Sequence, residues 1–393
     1  MRLQRFSVAW PKRMAWAVVL ALLVMASCGR PQREEKSAGG SATAGDTAVL
    51  MDEVRLPATP VKQQGRSPLC WVYAMLATIE TEHLVRGDSV NLSPVYLARQ
   101  WLCEQGERYF LTQGSEPLSM RGMSTMALHL INKYGIHPYD YYHGHDDVNW
   151  NVLARRVTRL ADAARSRRHS LDRFRRDLQD LLDRETGYMP RYVHMLGAEY
   201  TSQEFGRSVC MTDEYEALTS FAHHPYGERF ALEVADNQLG DTFLNVPLDT
   251  LMAVIERSLR AGHPVCWEGD ITEDGFSLEQ GVACIEGQEA RGRSAMPLSE
   301  RQRGKKGQEK SLEGQEATRQ REFETFQTTD DHCMALVGLA RDRQGRRYYL
   351  AKNSWGGAGC YGGYLYLSED YVRMKTICVI VHRDQLQSAS LQQ

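Results

Sequence analysis

Apolar residues keep one rhythm early in this chain and another near its end, and that change of period most limits what it can fold into. Val72, Met75, Leu76 and Ile79 recur at helical spacing, with Gly87 to stop them. Residues 94–103, 122–134 and 248–260 read the same way; Gly135 and Pro138 close the second, Gly262 and Pro264 the third. The runs 334–340, 347–352, 363–367 and 376–382 are instead strand-like, and Arg341 to Arg346 supplies a Gly-containing turn between the first two. Helices early and strands late predict an α+β fold. Residues 151–185 trace two more amphipathic helices, a helical insertion on Leu153, Val157, Leu160, Leu171, Phe174, Leu178 and Leu181. Acids interleave with their many arginines, so a solvated face explains them better than a polyanion site. Residues 286–321 hold almost no large apolar side chain and read as a flexible surface insertion.

The first residues look like an address. Arg2, Arg5, Lys12 and Arg13 precede an apolar run from Met14 to Ala26, too short to span a bilayer comfortably and suited to a secretory signal. Val24-Met25-Ala26-Ser27-Cys28 then resembles a bacterial lipobox, with Met25 where Leu is preferred. The expectation is a lipoprotein signal peptide over 1–27, lipidation of Cys28, a flexible tether over 28–50 and an exported protein of the cell envelope, facing the periplasm or the cell surface. The alternative is an ordinary cleaved signal with Cys28 incidental. Without those four cations a chain of net charge −3 becomes more acidic still, which argues against nucleic acid as a partner. Nine cysteines form no CxxC pair, so a structural zinc site is not expected.

Three separated pieces could assemble one site. Gln64-Gly65-Arg66-Ser67-Pro68-Leu69-Cys70-Trp71 stands at the mouth of the first helix. Unpaired N–H groups and the partial positive charge there favour a thiolate at Cys70. Pro68 suits a first turn and would put Cys70 inside it, although Ser67 could instead cap that amide. His332 opens a strand after Thr328-Thr329-Asp330-Asp331. Asn353, in Lys352-Asn353-Ser354-Trp355-Gly356, ends the next strand, and a returning hairpin would bring its amide to the imidazole. Singly, such a cysteine or histidine is usually structural. Gln64 six residues before Cys70, Trp71 after it, and a distant His followed by Asn-Ser-Trp-Gly make joint accident improbable.

On these residues the chain resembles the papain-like cysteine peptidases, and among them the bleomycin hydrolase/aminopeptidase C branch in an exported bacterial form. Leu92-Ser93-Pro94, Tyr134-Gly135-Ile136, Leu218 to Pro225, Asn245-Val246-Pro247-Leu248 and the run before His332 carry the likeness over residues 53–385. The resemblance implies a papain-like two-lobed fold over 51–385, a helical lobe facing a β-rich lobe with the active-site cleft between them. It implies Cys70 as nucleophile, His332 as general base and acid, Asn353 as orienting residue and Gln64 as oxyanion donor. Trp355 would shield the His–Asn hydrogen bond, with Trp71 in support. Where secreted relatives resemble Cys-Gly-Ser-Cys-Trp, this chain has Ser67-Pro68-Leu69-Cys70-Trp71, so the implied disulfide is missing. Cys333 replaces a smaller residue and could crowd the site or oxidise onto Cys70.

The chemistry expected is acyl transfer from peptide substrates through a Cys70 thioester, with no metal or organic cofactor. In the branch resembled, a C-terminal arm lies in the cleft and anchors the substrate's free amine, which makes an aminopeptidase on oligopeptides. Here the tail 386–393 is polar enough either to thread a groove or to fray, and the 12 residues after Val381 span at most about 40 Å. Two other classes compete: an envelope-anchored papain-like protein that binds peptides or surface ligands without turnover, and a metal-binding protein using His143, His145, His223 and His224. The sequence leaves a homo-oligomer open.

Overall fold

The computed structural model describes residues 50–145, 148–195, 197–211, 213–285 and 312–387. The signal segment 1–27, the tether up to residue 49, the stretch 286–311 and the tail from residue 388 lie outside the described residues.

Strand β1 (Met51–Arg55) leads through an irregular stretch into helix α1 (Cys70–Arg86), which Gly87 ends with φ 92°. Helices α2 (Pro94–Leu111), α3 (Ser124–Tyr134), α4 (Trp150–Ser166) and α5 (Leu171–Thr186) follow. Their starts are set locally. Ser93 Oγ accepts from Tyr96 N at 3.1 Å ahead of Pro94, Asn149 Oδ1 from Val152 N at 3.0 Å, and Ser170 Oγ from Arg173 N at 3.3 Å. The apolar faces of α4 and α5 bury Leu153, Val157, Phe174, Leu178 and Leu182. They reach α2 closely because Gly106 leaves room: a Cβ there would stand 2.9 Å from Val157 Cγ1. Phe110 of α2 stacks on Phe174 at 4.7 Å. Each large side chain buried in this way contributes about 1.5–3 kcal/mol. The arginines of residues 151–185 face solvent or pair with acids, as Arg175 does with Glu107 (2.6 Å). A hairpin, β2 (Tyr192–Met195) and β3 (Ala198–Thr201), and helix α6 (Ser202–Val209), held by a Thr201/Glu204 capping box, complete this lobe.

The second lobe is built on one twisted sheet. It takes β4 (Tyr215–Thr219), β5 (Arg229–Ala231), β6 (Thr242–Asn245), β7 (Val265–Gly269), β8 (Phe276–Ser277), β9 (Val282–Ala283), β10 (His332–Arg341), β11 (Arg347–Lys352), β12 (Tyr364–Ser368) and β13 (Thr376–His382). Their order is β5-β6-β4-β13-β7-β10-β11-β12-β9-β8, and β1 adds to the far end of β10. Helix α7 (Leu248–Arg260) lays Leu251, Ile255 and Leu259 on this sheet against Trp267, Met334 and Val379. Helix α1 packs against α2 and α3 on one side and β7 and β10 on the other, so its N-terminus opens between the lobes.

The expected strand runs all form, but strands also come from residues 215–283, so the chain does not divide into helices first and strands last. The expected surface insertion is corrected over its last residues, 312–321. Residues 312–324 form helix α8 (Leu312–Glu324). It is fastened by Arg319, 2% exposed, whose guanidinium lies 4.7 Å from the Phe221 ring and donates to the carbonyls of Ser220 and Met374. An apolar pattern cannot announce a helix anchored by an arginine. Helix α9 (Glu369–Lys375) links β12 to β13, and the expected tail begins as a turn of helix, α10 (Asp384–Gln387), beside α7.

Candidate active site

Cys70 is the first residue of α1, and Leu69 before it offers no side-chain cap. Ser67 does not serve as one: its hydroxyl donates to the Gln64 carbonyl at 2.6 Å. Pro68 likewise precedes the helix rather than occupying its first turn. Val72 N donates to Leu69 O at 2.9 Å, while Cys70 heads the helix at the cleft with its positive end behind it. Gly65, at φ 62°, turns the chain so that Gln64 faces the opposite lobe. There Gln64 N donates to Ser354 O at 2.7 Å, and Ser354 Oγ donates to Gln64 Oε1. Gln64 Nε2 donates to Ser67 O at 2.9 Å.

On the facing wall β10 and β11 form the expected antiparallel hairpin, with Ala335 opposite Lys352. It brings His332 and Asn353 together: His332 Nε2 donates to Asn353 Oδ1 at 2.7 Å. The same oxygen accepts from Ser354 N at 2.8 Å, which fixes which end of the amide faces the ring. With Nε2 engaged, Nδ1 is the nitrogen left for Cys70. Trp355 stacks on the imidazole at 4.7 Å and 30° and covers this pair. Trp71 takes no part in the cleft; it is fully buried and donates to Met120 O at 3.1 Å.

Cys70, His332 and Gln64 line one cleft of about 200 Å³, with Cys333 and Trp355. The Cys333 thiol donating to Cys70, and then the hydrogen bond and charge of His332, hold the Cys70 thiol well below the usual range against its burial. Burial drives other thiols the opposite way: Cys103 to about 11, Cys210 and Cys266 to about 12, and Cys333 and Cys378 well above their ordinary value. The eight described cysteines are all free, in keeping with the missing disulfide at Ser67.

Other groups at the cleft carry no signal in the sequence that marks them for the site. Ser354 links Gln64 to the His–Asn pair. Arg121, Asp236, Asp330 and Asp331 line the same cleft, and Glu268 of β7 lies beside Asp330. Of the four histidines weighed as metal ligands, only His223 and His224 come together, in one set with Glu233. His223 and His224 both meet Glu233, at 3.2 and 2.6 Å, whereas His143 packs by Tyr139 in the other lobe.

A thiol at a helix start, facing an imidazole held by an amide between a helical and a β-rich lobe, defines a papain-like fold. The crystal structure of PepW from Lactobacillus rhamnosis shares it, with a TM-score of 0.62 at 17% identity, over 86% of this chain and 84% of that one. The chain belongs to the peptidase C1-like family, whose profile matches residues 196–393. Aminopeptidase G of Lactobacillus delbrueckii subsp. lactis is 24% identical over 44% of this chain and 36% of its own length. The mitochondrial cysteine proteinase 1 of Saccharomyces cerevisiae (strain JAY291) is 23% identical over 87% of this chain and 78% of its own.

Proposed function

We propose that this chain is a cysteine peptidase that acts on oligopeptides as an aminopeptidase. The observation that carries the catalytic part is the hydrogen bond from His332 Nε2 to Asn353 Oδ1 beside Cys70. The Cys70 thiolate attacks a peptide carbonyl, and its lone pair forms the C–S bond as the C=O electrons move to oxygen. The Cys70 amide and Gln64 hold that oxyanion; one such donor is worth about 3–4 kcal/mol in the transition state. His332 Nδ1–H protonates the leaving amine, then takes a proton from water as it attacks the thioester. Asn353 keeps the ring in line.

The aminopeptidase part is supported by the name of the Lactobacillus relative and by the branch the motifs resemble. Its test compares free-amino and N-acetylated peptides of the same sequence, with Cys70→Ala as the blank. Free-amino substrates should be turned over faster. Equal rates on both sets would reject exopeptidase specificity, and no thiol-dependent turnover of either would reject the peptidase.

For cellular location we propose export and anchoring through a lipid on Cys28, supported by the lipobox-like Val24 to Cys28 run. A Cys28→Ser variant should move from the membrane fraction to the soluble one in a bacterial host. A mature N-terminus elsewhere, without acyl chains, would reject the anchor.

A further inference from the structure

The cleft wall next to Cys70 gathers more carboxyl groups than the nearby cations pair with. Asp330 and Asp331 both line the cleft immediately before His332. The strand register explains what stands behind them: β10 pairs with β7 so that His332 faces Gly269 and Cys333 faces Glu268. Glu268 is 1% exposed. Its Oε2 accepts from Ser124 N at the start of α3, at 3.3 Å. Its Oε1 and Asp330 Oδ2 have no donor among the described residues, and the two carboxyl groups adjoin. Two buried carboxyl oxygens in that relation share a proton or take a cation. Asp331 repeats the pattern: Oδ1 accepts from Thr329 Oγ1 at 3.0 Å, while Oδ2 lacks a donor and adjoins Asp270.

The nearby cations are already engaged. Arg121 Nε bonds both oxygens of Asp236, at 2.9 and 2.8 Å, and Arg121 Nη2 donates to the Asp330 backbone carbonyl at 2.8 Å. Lys375 is held by Glu273 and Glu322, at 2.5 and 2.8 Å. Burial lifts the Asp330 carboxyl to about 7, so the pair is poised to give up its proton when positive charge arrives. A cation at this wall would lie against Asp330 and Asp331, two and one residues before His332.

We propose that Asp330, backed by Glu268, and Asp331 form an acidic subsite that takes a cationic group of the substrate beside the scissile bond. The cation is either the N-terminal ammonium or a Lys or Arg side chain on the acyl side. The proposal deepens the peptidase reading above and rests on it for the meaning of "substrate". Asp330 and Asp331 are then specificity-determining residues, and Glu268 is a positioning residue behind them.

Binding to the full-length Cys70→Ala protein tests this whether or not the wild type turns over. Calorimetry would compare Phe-Gly-amide with acetyl-Phe-Gly-amide, and acetyl-Lys-Phe-Gly-amide with acetyl-Leu-Phe-Gly-amide. In at least one pair the cationic member should bind about 10- to 100-fold tighter, the range for a charge-assisted hydrogen bond. The first pair reads the ammonium, the second the side chain. Asp330→Asn with Asp331→Asn should abolish the difference; should that double variant melt early, Asp331→Asn alone should reduce it. Equal binding within both pairs, or a preference that survives the substitutions, overturns the subsite. Turnover by the wild type is read separately, so loss of the peptidase reading and loss of the subsite give different results.

Discussion

Asn353 gives one oxygen, Oδ1, to two donors, His332 Nε2 at 2.7 Å and the Ser354 amide at 2.8 Å. The second donor makes the first bond informative, because a flipped amide would set its NH₂ against the Ser354 N–H. The ring is thereby held with Nδ1 toward Cys70, and the proposed mechanism gives proton transfer to His332 and orientation to Asn353.

His332→Ala and Asn353→Ala should therefore differ in severity. Loss of the proton-transfer group should lower kcat by about 10²–10⁴. Loss of the orienting amide should cost about 10- to 100-fold, as for other supporting groups. Single-turnover kinetics on a fluorogenic peptide would compare them. Equal and small losses would contradict the division of roles.

Cys70 should be the thiol that a peptide epoxide alkylates near neutral pH. The Cys103, Cys210 and Cys266 thiols are raised to about 11, 12 and 12 by burial and stay protonated there. Peptide mapping after labelling should find the adduct on Cys70, and Cys70→Ala should lose both label and turnover. Inactivation with the label on a different cysteine would reject the assignment.

The pH dependence has a definite sign. The Cys70 thiol is lowered, first by the Cys333 hydrogen bond and then by His332, so its thiolate persists below the ordinary thiol range. Alkylation should stay fast as pH falls past that range and slow only on crossing the lowered value. Cys333→Ala removes the first of those donors, so the acid limb should move to higher pH. Iodoacetamide rates against pH measure both profiles, and coincident acid limbs would show that Cys333 does not act on Cys70.

Some of this was readable before the fold was known, and the reasons differ residue by residue. Cys70, His332 and Asn353 stand out because each sits in a short run whose residue types serve one chemistry. Glu268 does not. It lies in Val265-Cys266-Trp267-Glu268-Gly269, a strand buried on both faces and so without polar alternation. Its meeting with Asp330 depends on a register set by residues far apart in the chain. Helix α8 escaped for the opposite reason, since Arg319 and a single Phe323 stacked on Phe221, not a repeating apolar face, secure it. Pro68 suggested a first helical turn, yet the helix begins two residues later, because the Ser67 hydroxyl bonds back to Gln64 rather than capping forward.

The approach to Gln64 depends on a carboxylate well below the cleft. Glu80 of α1 is fully buried. Its Oε2 accepts from Thr59 Oγ1 at 2.5 Å, and its Oε1 accepts from Leu92 N at 2.7 Å and from Lys62 Nζ. Lys352, just before Asn353, donates to Thr59 Oγ1 at 2.8 Å, and burial lowers its ammonium to about 8. One carboxylate thus ties residues 59–62, which lead into Gln64, to the central helix and to the strand that ends at Lys352, just before Asn353. Glu80→Ala would strand two lysines and the Leu92 amide in a buried site. Breaking such a pair from one side costs about 3–5 kcal/mol. For a body of this size that should lower Tm by roughly 5–15 °C. Glu80→Gln keeps an acceptor for the Leu92 amide and should lose less. Calorimetry of the two variants and the wild type would decide. A Glu80→Ala melt within about 2 °C of wild type would mean that these bonds do not hold the approach to Gln64 in place.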